Sequence, residues 1–117
     1  MSRLEVVRGE IANFKAERIA TDDGPVWQGG DQGEPGLLFR AYYSAVQVAA
    51  ETGAKTVAVP SMSTGSKGYP LQDATEVAVA ALLEALADFS MIDQVTIVTN
   101  NDEDFAIFNQ AIAGIFD

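Results

Sequence analysis

From residue 37 onward the chain alternates between helical and extended patterning, and this alternation constrains its fold more than any other feature. "LLFRAYYSAVQVAAETG" sets Leu38, Ala41, Tyr42, Ala45, Val46 and Ala49 at i, i+3, i+4 spacing, with Gly53 as a stop. "KTVAVP", Lys55 to Pro60, is a β-branched apolar run of the kind a sheet buries on both faces. A second amphipathic stretch follows, its stripe made by Ala74, Val77, Ala78, Ala81, Leu82, Ala85, Leu86 and Phe89. "QVTIVT", Gln94 to Thr99, reads as a strand, and "NNDEDFAIFNQAIAGIF" as a helix with Phe105, Phe108, Ile112 and Ile115 inward. Such alternation requires crossovers, and crossovers give a mostly parallel sheet.

Upstream, "RLEVVRGEI" (Arg3 to Ile11) reads as a strand with Leu4, Val6 and Arg8 on one side, Glu5 and Val7 on the other. "AERIAT", Ala16 to Thr21, suits a short strand. "DDGPVWQGGDQGEPG", Asp22 to Gly36, is dense in Gly, Pro and Asp and reads as a loop, of a length usually functional or mobile. The expectation is an α/β fold of three-layer α/β/α type, with a mostly parallel mixed sheet of about four or five strands. A chain of 117 residues is expected to form a single domain over 1–117.

Composition narrows the chemistry. The chain has no histidine and no cysteine, which removes disulfides, Cys/His zinc sites, His-based triads and cysteine nucleophiles. A formal net charge of −10 argues against a nucleic-acid partner, whose backbone is bound by clustered positive charge. One phosphorylated small molecule held by backbone amides stays compatible with that charge. With no apolar h-region at the start and no run of membrane-spanning length, a cytoplasmic protein with no membrane partner is expected. Nothing in the sequence asks for a metal or cofactor.

Ligands of parallel sheets bind outside the carboxyl ends of the strands, which singles out Ser61 to Gly68 and Asn100 with Asn101. In "PSMSTGSKGYP", Gly65 and Gly68 permit positive φ, so successive amides can converge into an anion-binding concavity. A helix starting near Pro70 or Leu71 adds its positive end, and Ser61, Ser63, Thr64 and Ser66 add hydroxyls. The Walker A spacing is absent. The same residues also suit a plain polar connection, and the two readings stay open on chemistry alone. Asp102, Glu103 and Asp104 read as first-turn carboxylates that complement a helix dipole, with Asn101 or Asp102 as cap, rather than as metal ligands. Asp22 and Asp23 read as a solvated turn rather than a general base.

The order of motifs adds a resemblance. "TVAVPSMSTGSKGYPLQDATEVAVAALLEAL" resembles the carboxyl half of a macrodomain, the ADP-ribose-binding module: a buried strand ending in Pro, then Ser-Thr-Gly, Gly-Tyr-Pro and an Ala-rich helix. "GPVWQGGDQGEPGLLFRAYYSAVQVAAETG", "VTIVTNNDEDFAIFNQAI" and "VVRGEI" resemble the flanking segments and the opening Val-x-x-Gly-Asp-Ile. The resemblance implies that Ser63, Thr64, Gly65, Ser66, Lys67 and Gly68 form a cradle for the diphosphate and distal ribose, followed by Tyr69. It implies that Glu10 receives the adenine amino group and that Ile11 and Asn100 line the adenine slot. Lys67 and Asn100 stand where the family often has aromatic residues; Lys67 reads either as a phosphate partner or as a solvated lysine. The family's Asn-Ala-Ala-Asn and Gly-rich, His-containing segment has no counterpart here. Trp27 is implied to be a core anchor.

Three functions follow as expectations: binding of ADP-ribose or a related phosphorylated nucleotide, a non-catalytic homodimeric interaction module, or hydrolysis of ADP-ribose esters or a terminal phosphate. No catalytic residue is assigned. A homodimer is expected because a shortened parallel sheet exposes an edge.

Overall fold

β-Branched side chains alternate along two of the extended runs, and the register sets them side by side. The computed structural model describes residues 3–116, apart from the side chains of Ser66 and Phe116. Among the described residues, β1 (Leu4–Arg8), β2 (Arg18–Ile19), β3 (Thr56–Pro60) and β4 (Gln94–Thr99) form one sheet in the order β1-β4-β3-β2. Every pairing is parallel. Val57 stands opposite Val95, Val59 opposite Ile97, and Leu4 and Val6 complete the rows on the far side of β4. These side chains make one apolar face.

The helices α1 (Glu34–Glu51), α2 (Leu71–Asp88) and α3 (Asp102–Phe116) cover that face. Leu38, Tyr42 and Val46 of α1, Leu82 and Leu86 of α2, and Phe108 of α3 pack into a common core with the strand residues. Ala74, Ala78, Ala81 and Ala85 are all buried along α2, and such small side chains suit a helix wedged between two others. Among the described residues no helix is long and apolar enough to cross a membrane.

Chain direction then dictates which face each connection takes. The steps β2 to β3 and β3 to β4 move the same way along the sheet, so right-handed crossovers place α1 and α2 on one side. The step β1 to β2 runs the opposite way and passes β4 and β3, so the same rule carries it over the other face. Gly9 to Glu17 makes that passage with a single 3-10 turn at Ile11–Asn13. Its far end is fastened at Glu17, whose N–H donates to Thr56 Oγ1 at 2.9 Å and whose carboxylate accepts the Lys55 N–H at 2.5 Å. The outer layer on this side is therefore a connection rather than a helix.

Element ends differ from the sequence pattern for local reasons. β1 stops at Arg8 because Gly9, whose N–H still reaches Thr99 O at 2.8 Å, begins the crossing. α1 starts at Glu34 rather than Leu37, with Pro35 in the first turn, where its missing N–H costs nothing. Ile115, expected inward, is 46% exposed. A helix of 15 residues is about 22 Å long, whereas β1 and β4 extend about 17–20 Å, so the end of α3 outruns the sheet it covers.

The end of α2 carries no basic residue in its last turn, and Arg3 supplies the missing donors from outside. Its guanidinium donates to Leu86 O at 2.9 Å, Phe89 O at 3.0 Å and Ile92 O at 2.9 Å. These carbonyls include the helix-end acceptors that lack intrahelical partners. Arg3→Met is expected to lower the free energy of unfolding by about 2 kcal/mol in urea titration. A loss below a few tenths would show that water replaces the guanidinium without cost.

Candidate functional site

Three segments leave the sheet side by side where β1, β3 and β4 end, and between them lies a hollow of about 330 Å³. Gly9, Glu10 and Ile11 line it from the exit of β1. Pro60, Ser61, Thr64 and Gly65 line it from the exit of β3, and Asn100, Asn101, Glu103 and Asp104 from that of β4. This is the carboxyl end of a parallel sheet, the position where such folds take ligands.

Tyr42 fixes the exit of β3. Its hydroxyl, fully buried on α1, donates to Pro60 O at 3.2 Å and accepts the Met62 N–H at 2.7 Å. Burial raises the phenol above its ordinary value, opposed by the Met62 amide and reinforced by the charge of Asp104. The group therefore stays a protonated donor throughout the neutral range.

The next residues divide into an inward and a facing set. Ser63 is only 2% exposed and adopts φ +67°, unusual for a residue with a side chain. Its N–H donates to Asp23 O at 2.7 Å, its hydroxyl to Pro25 O at 2.6 Å, and its carbonyl accepts the Tyr69 N–H at 3.0 Å. Ser63 is thus spent on the neighbouring loop and does not line the hollow. Gly24 sits so close beneath it that an added Cβ would collide with Ser63 Oγ. Thr64 and Gly65, in contrast, face the hollow, and their N–H groups have no acceptor among the described residues. The Thr64 hydroxyl lies 3.1 Å from Ser61 Oγ and has two acceptors in reach of its one proton, Ser61 O and Asp104 Oδ2, each at 3.3 Å.

Lys67, Gly68 and Tyr69 turn away from the hollow. Lys67 O accepts the Trp27 N–H at 2.9 Å, Gly68 N–H closes a turn onto Gly65 O at 3.1 Å, and Tyr69 is buried with its ring 4.6 Å from that of Trp27. The side chain of Ser66 lies outside the described residues. Of the candidates read from sequence, Glu10, Ile11, Thr64, Gly65 and Asn100 come together around the hollow. Trp27 packs against the core.

Two acids of α3 were read only as dipole partners. Asn101 does cap the helix, its Oδ1 accepting the Asp104 N–H at 2.8 Å. Asp104, however, is just 7% exposed and points to Thr64, while Glu103 lines the hollow from the surface. The signal was in the period: Asp104 precedes the buried Phe108 by four residues and so shares its inward face. Among the described residues no group of three or more acids is arranged to hold a metal ion.

The glycine-rich loop has its own internal anion. Glu34, 2% exposed, accepts the N–H of Gln28 at 2.7 Å, Gly30 at 3.0 Å and Gln32 at 2.7 Å. Burial pushes its carboxyl up, but these amides, together with its own, outweigh burial and hold it at about 2. The concavity made by "WQGGDQGE" is therefore filled by the protein itself.

Residues 5–78 match the Macro domain family. A Macro domain-containing protein of Cupriavidus necator is 42% identical over 77% of this chain and 52% of its own length. An O-acetyl-ADP-ribose deacetylase of Citrobacter koseri is 35% identical over 86% of this chain and 56% of its own. The chain spans about half the length of the curated relatives it matches. Among solved structures, a Trypanosoma brucei macrodomain in complex with ADP-ribose superposes with a TM-score of 0.78 at 16% identity, covering 94% of this chain and 69% of that one. An Oceanobacillus iheyensis macrodomain with ADP gives 0.71 at 22% identity, over 80% and 48%. At those identities the likeness is one of fold.

The depressed carboxyl of Glu34 has a pH signature. Its contribution is complete above its ordinary value of 4.5 and disappears as pH falls through about 2. Glu34→Gln is expected to melt below the parent at pH 7, with the gap narrowing below pH 4.5 and closing near pH 2. A gap unchanged across that range in thermal melts would assign the loss to packing instead.

Proposed function

The chain belongs to the Macro domain family, and from that premise we propose that it binds ADP-ribose or a related adenosine nucleotide in the hollow at the ends of β1, β3 and β4. One observation carries the reading: Glu10, Ile11, Thr64, Gly65 and Asn100, drawn from three separate segments, converge on one space. In this reading Glu10 accepts the amino group of the base and Ile11 packs against the ring. The free N–H groups of Thr64 and Gly65 then lie beside the phosphates, with Gly65 at φ +71° supplying the turn that exposes them. Ser63, Lys67 and Tyr69 support this loop from behind. The names of the relatives, a deacetylase of an ADP-ribose ester and macrodomains holding ADP-ribose or ADP, point to the same ligand class.

A second reading, a homodimeric module, draws on the far side of the sheet. β2 contributes two paired residues, and Val26, Leu37 and Val48 stand exposed, the last two on α1. A bare short edge with apolar neighbours is the kind of surface a second copy covers. Sedimentation showing monomer at all micromolar concentrations would remove this reading.

Isothermal titration with ADP-ribose tests the first. Ligand at about 100 times its dissociation constant is expected to stabilise the fold by about 2.7 kcal/mol, and Glu10→Ala to weaken binding about tenfold. No heat and no melting shift at millimolar ligand would sink the proposal.

A further inference from the structure

Only one flank of β2 is paired. The Ala20 N–H donates to Ala58 O at 2.9 Å, so Ala20 faces β3. In an extended chain its neighbours Ile19 and Thr21 turn their N–H and C=O groups the other way, off the edge of the sheet. The Thr21 N–H has no acceptor among the described residues. Beside this edge runs a groove of about 210 Å³, whose other wall is the α1 face made by Ala41, Ser44, Ala45 and Val48. We propose that a second copy of the chain lays its own β2 antiparallel to this one, centred on Ala20, a pairing that rests on the homodimer reading above and gives it a register.

Hydrogen bonding and charge select the same register. Centring on Ala20 sets Ile19 opposite Thr21 of the second copy and the reverse, with each pair exchanging both of its N–H···O bonds. The same register sets Arg18 opposite Asp22 of the second copy at either end. These are non-hydrogen-bonded pairs, where side chains stand closest and Cα atoms are about 4.5 Å apart. Arg18 is exposed, and among the described residues its guanidinium has no partner. Asp22 spends one oxygen on the Gly24 N–H at 2.9 Å and keeps the other. Centring on Ile19 instead sets Glu17 opposite Thr21, and centring on Thr21 sets Ile19 opposite Asp23, so neither shift joins opposite charges. Glu17 and Asp23, next outward in the favoured register, are both held back toward β3: the Glu17 carboxylate accepts the Lys55 N–H, and Asp23 O the Ser63 N–H. A twofold axis through such a pair stands perpendicular to the sheet, so both α1 helices lie on one face and meet antiparallel. Side chains as small as Ala41, Ser44 and Ala45 let their axes approach to the usual separation of about 8–10 Å.

Sedimentation velocity on the intact chain across micromolar concentrations is expected to show a dimer. Arg18→Asp and Asp22→Arg each set like charges opposite one another, and each is expected to weaken that dimer about tenfold. An equal mixture of the two variants restores opposite charges at both ends and is expected to recover the parental affinity within about threefold. A second test needs neither charge variant. The chain has no cysteine of its own, and Ala20→Cys puts a thiol opposite its copy within disulfide reach. On mild oxidation it is expected to cross-link about tenfold faster than Glu76→Cys, exposed on α2, as read by non-reducing electrophoresis. A dimer indifferent to both reversals, a mixture no tighter than its components, or equal cross-linking rates overturns this register and leaves the homodimer standing. Monomer at every concentration overturns both.

Discussion

A single buried hydroxyl decides where the chain stops being a strand. Tyr42 bridges the carbonyl of Pro60 and the amide of Met62 and so ties α1 directly to the backbone at that bend. Leaving either backbone group unpaired in the core would cost about 1–3 kcal/mol, enough to make the bend reproducible. From that bend Thr64 reaches back to Ser61 and across to Asp104 by hydrogen bonds. The hollow inherits its shape from this chain of contacts rather than from the sheet alone.

The two glycine-bearing loops act as one unit. Residues 22–27 hold Ser63 and Lys67 through two backbone hydrogen bonds and the bond from the Ser63 hydroxyl to Pro25 O, and Tyr69 through a ring contact, while Glu34 holds the rest of the longer loop. An anion is thus present in the fold from the outset, but it is a carboxylate of the protein, set in the loop that does not face the hollow. Chemistry that favours binding phosphate has here been turned to fastening one loop so that it can brace the other.

Much of the fold was legible because strand and helix periods differ so plainly. The β-branched runs at residues 56–60 and 94–99, and the stripes through Leu38, Tyr42 and Val46 or Ala78, Leu82 and Ala85, required no tertiary information. The site was legible in part. Thr64, Gly65 and Asn100 were singled out because position after a parallel strand is a local property, whereas Glu10 and Ile11 rested on likeness to the family. Ser63 looked the same as Thr64 in sequence, and its inward turn is set by Gly24 and Pro25, nearly forty residues upstream. Asp104 was read as a first-turn carboxylate, which it is, and that local explanation left its contact with Thr64 unseen. The four-residue spacing to Phe108 marks its inward face, but what that face meets, the β3 exit, depends on how α3 packs.

The pairing of β1 has a consequence for how the molecule assembles. Its neighbour in the sheet is β4, so Leu4 meets Val95 across some ninety intervening residues, and Arg3 waits on carbonyls at Leu86 to Ile92. On a ribosome, this segment emerges long before anything exists for it to pair with. Until β4 appears, an apolar strand bearing Leu4 and Val6 stays loose, and closure is a late step with a large loop entropy to overcome. Docking of β1 therefore tests two earlier outcomes at once, since the strand can dock only once β4 and the end of α2 are in place.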